Sequence, residues 1–283
     1  MITNLVLGSE GFVGNSFCTF LENQGERVVR FDIERSANED CRHSQLPLDV
    51  VDRVYFLAWD VGGAKYLYKN KTQFRQLDWN LRILLNVMSQ IQAARIPFLF
   101  ASSQLAQEFD TVYGATKRLG EVWTQLLGGT RVRFWNVYGP IEEFSERSHV
   151  ISDFVHQAWA TGKIKMLTTG EELRQFIHID DLCRAMHMAL SQNLKSTYDI
   201  TSFEWISVLD VAKIIARELN AEIIVGRKTG RTPVTPLVGK IPDWFPEIDI
   251  RTGLRRMIME IKGEARRERP ALVSVPMDRR EHI

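Results

Sequence analysis

Tyr113 and Lys117 stand four residues apart in Val112-Tyr113-Gly114-Ala115-Thr116-Lys117, a spacing that puts both side chains on one helical face. A phenol in water has a pKa of about 10 and is a poor base at neutral pH. An ammonium one turn away favours the phenolate and lowers that value. So tuned, Tyr113 can take a proton from an alcohol while hydride leaves the same carbon for a nicotinamide ring. Ser102-Ser103 ends the apolar run Phe98-Leu99-Phe100-Ala101, which places Ser103 to hydrogen-bond the reacting oxygen. A Tyr-x-x-x-Lys pattern alone occurs by chance and reads equally as a surface pair on an amphipathic helix. The segments that precede it give it weight.

Gly8-Ser9-Glu10-Gly11-Phe12-Val13-Gly14 lies between an apolar strand at residues 5–7 and a helix over about 12–21. In such a fingerprint the first glycine permits a tight turn and the second lets backbone N–H groups approach a pyrophosphate. The third lets helix and strand pack closely, while the helix N-terminus favours the diphosphate charge. Gly8, Gly11, Phe12, Val13 and Gly14 are therefore expected at a dinucleotide. Asp32 ends the second strand, at residues 28–31, where a carboxylate accepts hydrogen bonds from ribose hydroxyls and repels a 2′-phosphate. That favours NAD over NADP, although Arg35 stands close by.

The elements that must carry these residues follow an alternating rhythm. Strand-like runs at 5–7, 28–31, 54–58, 98–101 and 131–135 alternate with helical stretches, notably about 72–94 and 113–127. This predicts an α/β fold with a Rossmann-type doubly wound parallel sheet and a smaller C-terminal substrate-binding lobe. The expected division is 1–140 for the dinucleotide-binding domain, with 174–190 packing back onto it. Residues 141–173 and 191–283 form the lobe, with a peripheral charge-rich tail at 264–283. Ser207-Val208-Leu209-Asp210 opens a helix with a capping box, and Val211, Ile214, Ile215 and Leu219 would be its buried stripe.

The 283 residues are 45% apolar and 25% charged, with a formal net charge of +1, which gives no general attraction to nucleic acid or an anionic membrane. No apolar run approaches the roughly 18 residues that span a bilayer. The N-terminus runs straight into the first strand without a basic leader. Cys18, Cys41 and Cys183 are too scattered for a disulfide framework or a zinc site. A cytoplasmic protein without a metal is the expectation.

With these motifs in place the chain resembles the extended short-chain dehydrogenase/reductases, specifically the NAD-dependent epimerase/dehydratase family that modifies nucleotide-activated sugars. Leu57-Ala58-Trp59-Asp60-Val61-Gly62-Gly63 is similar to the family's Leu-Ala-Ala-x-x-Gly-Gly loop, which implies that Leu57, Ala58 and Trp59 pass the cofactor. Asp40-Cys41-Arg42 resembles the short acidic motif that meets adenine, and Asn80 matches an Asn of the family's long helix, which implies that Asp40, Cys41 and Asn80 contact the cofactor. Arg133-Phe134-Trp135-Asn136-Val137-Tyr138-Gly139-Pro140 is close to Arg-x-x-Asn-Val-Tyr-Gly-Pro, where Asn136 would contact the sugar nucleotide. Arg174-Gln175-Phe176-Ile177-His178-Ile179-Asp180-Asp181 is close to Arg-Asp-Phe-x-His-Val-Asp-Asp, which casts Arg174 as a diphosphate ligand and leaves His178 a packing role. Arg227 or Arg231 could supply a second diphosphate contact, a solvated basic loop being the equal alternative. Trp244-Phe245-Pro246 with Gly253-Leu254 extends the likeness to about residue 260. The resemblance also implies a homodimer through the two long helices.

The chain departs from that pattern in two ways. Tyr113 lies only ten residues after Ser103, so the rim between them is short. Gln104, on the substrate side after Ser103, and Ile141, after Tyr138-Gly139-Pro140, stand where dehydration or 3,5-epimerisation would need acids or bases. What remains is plain hydride chemistry on a nucleotide sugar. C4 epimerisation comes first, then 4-keto reduction or dehydrogenation. A catalytically silent dinucleotide-binding regulator is the alternative from another class.

Overall fold

Apolar runs without alternation require cover on both faces, and the first of them receives it. In the computed structural model, which describes residues 1–67, 69–140, 147–233 and 236–267, Thr3–Leu7 (β1) is buried throughout. The chain continues through Phe12–Asn23 (α1), Arg27–Phe31 (β2), Arg53–Phe56 (β3), Ala64–Leu67 (α2), Asn70–Ala94 (α3) and Phe98–Ser103 (β4). Val112–Leu126 (α4), Thr130–Phe134 (β5), Asn136–Tyr138 (β6), Val150–Thr161 (α5), Lys163–Lys165 (β7), Leu173–Arg174 (β8) and Phe176–His178 (β9) follow. Ile179–Ser191 (α6), Thr197–Ile200 (β10), Ile206–Ser207 (β11), Val208–Leu219 (α7), Glu222–Ile224 (β12) and Ile250–Arg267 (α8) complete it.

Six parallel strands form the main sheet in the order β10-β5-β4-β3-β1-β2. The order reverses at β1, so the crevice between the carboxyl ends of β1 and β3 is the ligand-binding switch point of a doubly wound sheet. Strand alternation sends Val6 to a core with Phe17, Leu21, Leu182 and Met186 of α1 and α6. Leu5 and Leu7 go to the opposite core with Leu84, Val87 and Met88 of α3. A third core, with Phe154, Ile164, Val211, Ile215 and Leu254, belongs to the lobe. There Ser207 caps α7 as expected, its Oγ accepting from Asp210 N at 2.9 Å and donating to Asp210 Oδ2 at 2.7 Å. No helix among the described residues is long and apolar enough to cross a membrane.

Two boundaries drawn from the sequence change. Residues 197–200, assigned to the lobe, form the outer strand of the main sheet, paired in parallel with β5. Their polar composition hid them: Asp199 is buried because Trp135 Nε1 donates to it at 2.9 Å and Val238 N at 2.5 Å. Residues 264–267, assigned to the tail, complete α8, and 268–283 lie outside the described residues.

Candidate active site

A cleft of about 1140 Å³ runs from the carboxyl ends of β1, β3 and β4 to the lobe. Gly8 adopts φ +84°, and a Cβ there would meet Ala58 N at 2.7 Å. A Cβ on Gly14 would come within 1.9 Å of Gly8 O, so the protein's own backbone requires both glycines. Gly11 caps α1 without a side chain, and with Phe12 and Val13 it lines the cleft at the helix's first turn. Those first-turn N–H groups are what a diphosphate takes.

Asp32 lines the cleft at the end of β2, its carboxylate steadied by Glu10 N and Glu34 N, each at 3.0 Å. Arg35, a cation that would favour a 2′-phosphate there, is drawn instead to Glu10 at 3.4 Å and Glu39 at 3.5 Å. This donor and acceptor set fits NAD. Asp40, Cys41, Leu57, Ala58 and Trp59 also face the cleft. Burial works to raise the Asp40 carboxyl, but the two-pronged Arg42 guanidinium holds it below the ordinary value. Burial pushes the Cys41 thiol up to about 12, so it serves as packing.

Asn80 departs from expectation. It is fully buried behind the wall, its Oδ1 accepting from Asp60 N at 2.7 Å and its Nδ2 donating to Asp60 O at 3.2 Å. It holds the loop after β3 rather than facing the cleft. An amide on α3 looks the same in sequence whichever way it points.

Ser103, Tyr113 and Lys117 all line this cleft. Ser103 Oγ accepts from Leu105 N at 3.2 Å, which fixes the oxygen and leaves its own proton to donate. Lys117 is 4% exposed, its Nζ donating to Ala101 O at 2.6 Å and lying 4.1 Å from the Trp59 ring and 6.0 Å from that of Tyr113. Burial pulls the Lys117 ammonium down to about 7, with the Glu121 charge opposing. Trp59, where the family loop has Ala, is thus the cover of Lys117, a role invisible in the sequence.

Glu121 is a further residue that sequence reasoning missed. It accepts from Ser102 Oγ at 2.6 Å, Arg133 Nε at 2.6 Å and Arg118 Nη1 at 3.0 Å, tying α4 to the ends of β4 and β5. Burial works to raise its carboxyl, and the Arg133 and Ser102 hydrogen bonds hold it below the usual range. Its signal was position, four residues after Lys117 on the same face.

The short rim folds as a single 3-10 turn, Gln104–Gln107, and Thr111 caps α4. The turn's carbonyls press on the helix so closely that a Cβ on Gly114 would lie 2.1 Å from Glu108 O. Gln104 is buried, and its Oε1 has no hydrogen-bond partner among the described residues. Gln104, Asn136 and Arg174 line the substrate side of the cleft. Of the two further arginines, Arg231 reaches the cleft and Arg227 does not. Arg231 lies 3.5 Å from Glu108, and Gln107 Nε2 donates to Pro236 O at 3.0 Å, so the rim meets the lobe directly. His178 packs as expected, its Nδ1 accepting from Asp180 N at the start of α6. Ile141 lies outside the described residues.

Residues 4–201 match the profile of the NAD dependent epimerase/dehydratase family. GDP-mannose 3,5-epimerase 1 of Oryza sativa subsp. indica is 25% identical, the alignment covering 95% of this chain and 84% of that protein. The dTDP-4-dehydro-6-deoxy-D-allose reductase of Streptomyces bikiniensis is 26% identical over 89% of this chain and 94% of its own. Among solved structures, an epimerase of Methanothermobacter thermautotrophicus superposes with a TM-score of 0.80 at 22% identity, covering 94% of this chain and 93% of that one. The UDP-glucose 4-epimerase of Thermotoga maritima, solved with UDP-glucose, gives 0.75 at 18% identity, covering 93% and 100%. At these identities the superpositions establish a shared fold.

Proposed function

The chain belongs to the NAD dependent epimerase/dehydratase family, and from that premise we propose that it epimerises a nucleotide sugar at C4. NAD, when bound, supplies the hydride acceptor that later returns the hydride. Gly8 and Gly14 let the turn close on the protein's own backbone, Gly11 at the start of α1 would leave room for the diphosphate, and Asp32 would accept from the ribose. Tyr113 removes the proton from the sugar hydroxyl, Lys117 favours the phenolate from below, and Ser103 holds the same oxygen. Asn136, Arg174 and Arg231 orient the nucleotide diphosphate. After the keto-sugar turns over in the cleft, Tyr113 gives the proton back to the same oxygen and Ser103 again holds it.

The observation that carries this reading is the convergence of Ser103, Tyr113 and Lys117 on one cleft with the glycine turn, beside a neutral amide at Gln104. An amide has no proton to give a departing hydroxyl, which argues against dehydration. For the same reason the reading departs from the 3,5-epimerase among the relatives. A 4-keto reductase needs the same residues working in one direction, and the reductase relative supports that second reading. A screen of UDP-, dTDP- and GDP-sugars, following absorbance of the reduced nicotinamide and product stereochemistry together, separates the possibilities. Inverted C4 without net reduction supports the epimerase; consumption of reduced cofactor supports the reductase. Binding without turnover on any sugar contradicts both.

A homodimer is part of the proposal. Phe74, Leu77, Leu81 and Leu85 form an exposed apolar stripe on α3, and Leu119, Val122 and Leu126 form another on the neighbouring α4. Contiguous stripes of this kind mark protein contacts. Light scattering is expected to give twice the chain mass at micromolar concentration, and a Leu85→Glu variant is expected to run as a monomer.

A further inference from the structure

The dinucleotide crevice has a roof. Segment 147–149 enters from the lobe and spans the crevice from one lip to the other. At one lip the His149 ring meets Phe12 of the glycine turn, with ring centroids 6.3 Å apart. At the other, Gly63 N donates to Arg147 O at 2.9 Å, and a Cβ on Gly63 would lie 2.4 Å from Ser148 O. The glycine pair after β3 therefore serves the docking of this segment. Gly11, Phe12, Asp60, Arg147, Ser148 and His149 all line the same cleft.

One side chain fastens the span. Arg147 Nη2 lies 2.9 Å from Asp60 Oδ1 and donates to Tyr66 Oη at 3.0 Å, while Nη1 donates to Val61 O at 3.2 Å. Its guanidinium sits 4.2 Å from the centre of the Tyr66 ring. The receiving group is built for a cation. Asp60 is 5% exposed, both its oxygens accept from Tyr66 Oη at 2.8 Å, and its backbone is clamped by Asn80. Arg75 Nη2 donates to the same phenol at 2.6 Å. Arg75 Nε also lies 3.7 Å from Asp60, so the two arginines share the carboxylate's charge, Arg147 at the shorter distance. A planar fork that stacks, donates twice and pairs with a buried carboxylate does more than a surface ion pair.

We infer that Arg147 is a cofactor-retaining residue: with Asp60 and Tyr66 it straps segment 147–149 over bound NAD, so that NAD stays through many turnovers. A dinucleotide on the glycine turn lies beneath the span and leaves only when the strap lets go. An enzyme that returns its hydride in every cycle has no need to release the cofactor. A reductase drawing on fresh reduced cofactor would be throttled by the same strap.

The test uses the full chain loaded with adenine-labelled NAD and diluted into excess unlabelled NAD, with label retention followed by rapid gel filtration. No sugar is present, so the result does not depend on the sugar chemistry proposed above. The wild-type chain is expected to hold its label well beyond the dilution dead time. Arg147→Ala is expected to release it at least about tenfold faster. Tyr66→Phe, which keeps the ring and removes the shared hydroxyl, should fall between them. Melting curves without NAD establish that each variant is folded, and if Arg147→Ala is not, Tyr66→Phe carries the test. A wild-type chain that loses its label within the dead time, or folded variants that release it at the wild-type rate, would overturn the strap.

Discussion

The two ends of the cleft are bridged by arginines of different standing. At the cofactor end Arg147, its own side chain 47% exposed, reaches Asp60, whose side chain is 3% exposed and also held by the Tyr66 hydroxyl and Arg75. At the substrate end Arg231, with a side chain 79% exposed, reaches Glu108 across 3.5 Å. An ion pair that exposed is worth about 0–1 kcal/mol and weakens with salt. Breaking the other leaves a buried carboxylate to Arg75, at 3.7 Å, and the Tyr66 hydroxyl, which costs more. The fold thus keeps one end shut and lets the other open, as suits a resident cofactor and an exchanging substrate.

That contrast breaks most visibly at the chemistry between the two ends. Tyr113→Phe is expected to cut kcat on the order of 10³-fold, while labelled NAD leaves at the wild-type rate. Near-normal turnover would remove Tyr113 from the base's role. Next in size is Gly114→Ala, whose methyl must push the rim turn away from α4. Thermal melts are expected to show a loss of about 1–3 kcal/mol. KM for the nucleotide sugar should rise, with NAD release unaltered, because only the substrate end rests on that turn.

Arg231→Ala sharpens the comparison directly. It is expected to raise KM by roughly fivefold, an effect that shrinks as salt is added, and to leave NAD release untouched. Equal acceleration of NAD release by Arg231→Ala and Arg147→Ala would erase the distinction between the ends.

The last expected effect is on stability rather than turnover and lies at Lys117, midway between them. In the folded, cofactor-free chain it titrates at about 7, against an ordinary value of 10.5. Between those values the unfolded chain holds the extra proton, so stability should rise with pH from 7 towards 10, by about 1.4 kcal/mol per unit at most. Lys117→Met should flatten that slope in denaturant titrations at several pH values.

Much of the site was legible because its residues recognise one another locally. Gly8 and Gly14 meet within a single turn, and Tyr113 and Lys117 share a helical face, so spacing alone carried the geometry. Residues that depend on distant partners were not legible. Asp60 and Arg147 come from a loop after β3 and a segment of the lobe, and neither carries a local pattern. Trp59 stood in the expected loop, yet its place over Lys117 follows from how β4 and α4 pack. Asn80 looked like a cofactor ligand, and only its orientation shows it holding the backbone of Asp60. β10 escaped because its buried Asp199 breaks the apolar run by which the other strands were found.

On the proposed path hydride leaves C4 of a nucleotide sugar for retained NAD and returns to the same carbon. A sugar nucleotide deuterated at C4, carried through one full equilibration with the NAD-loaded chain, follows that hydride. The expected result is inverted product with deuterium still on C4, no label in solvent, and no accumulation of reduced cofactor. Deuterium lost to water, inversion at another carbon, or label appearing in free reduced cofactor would contradict it.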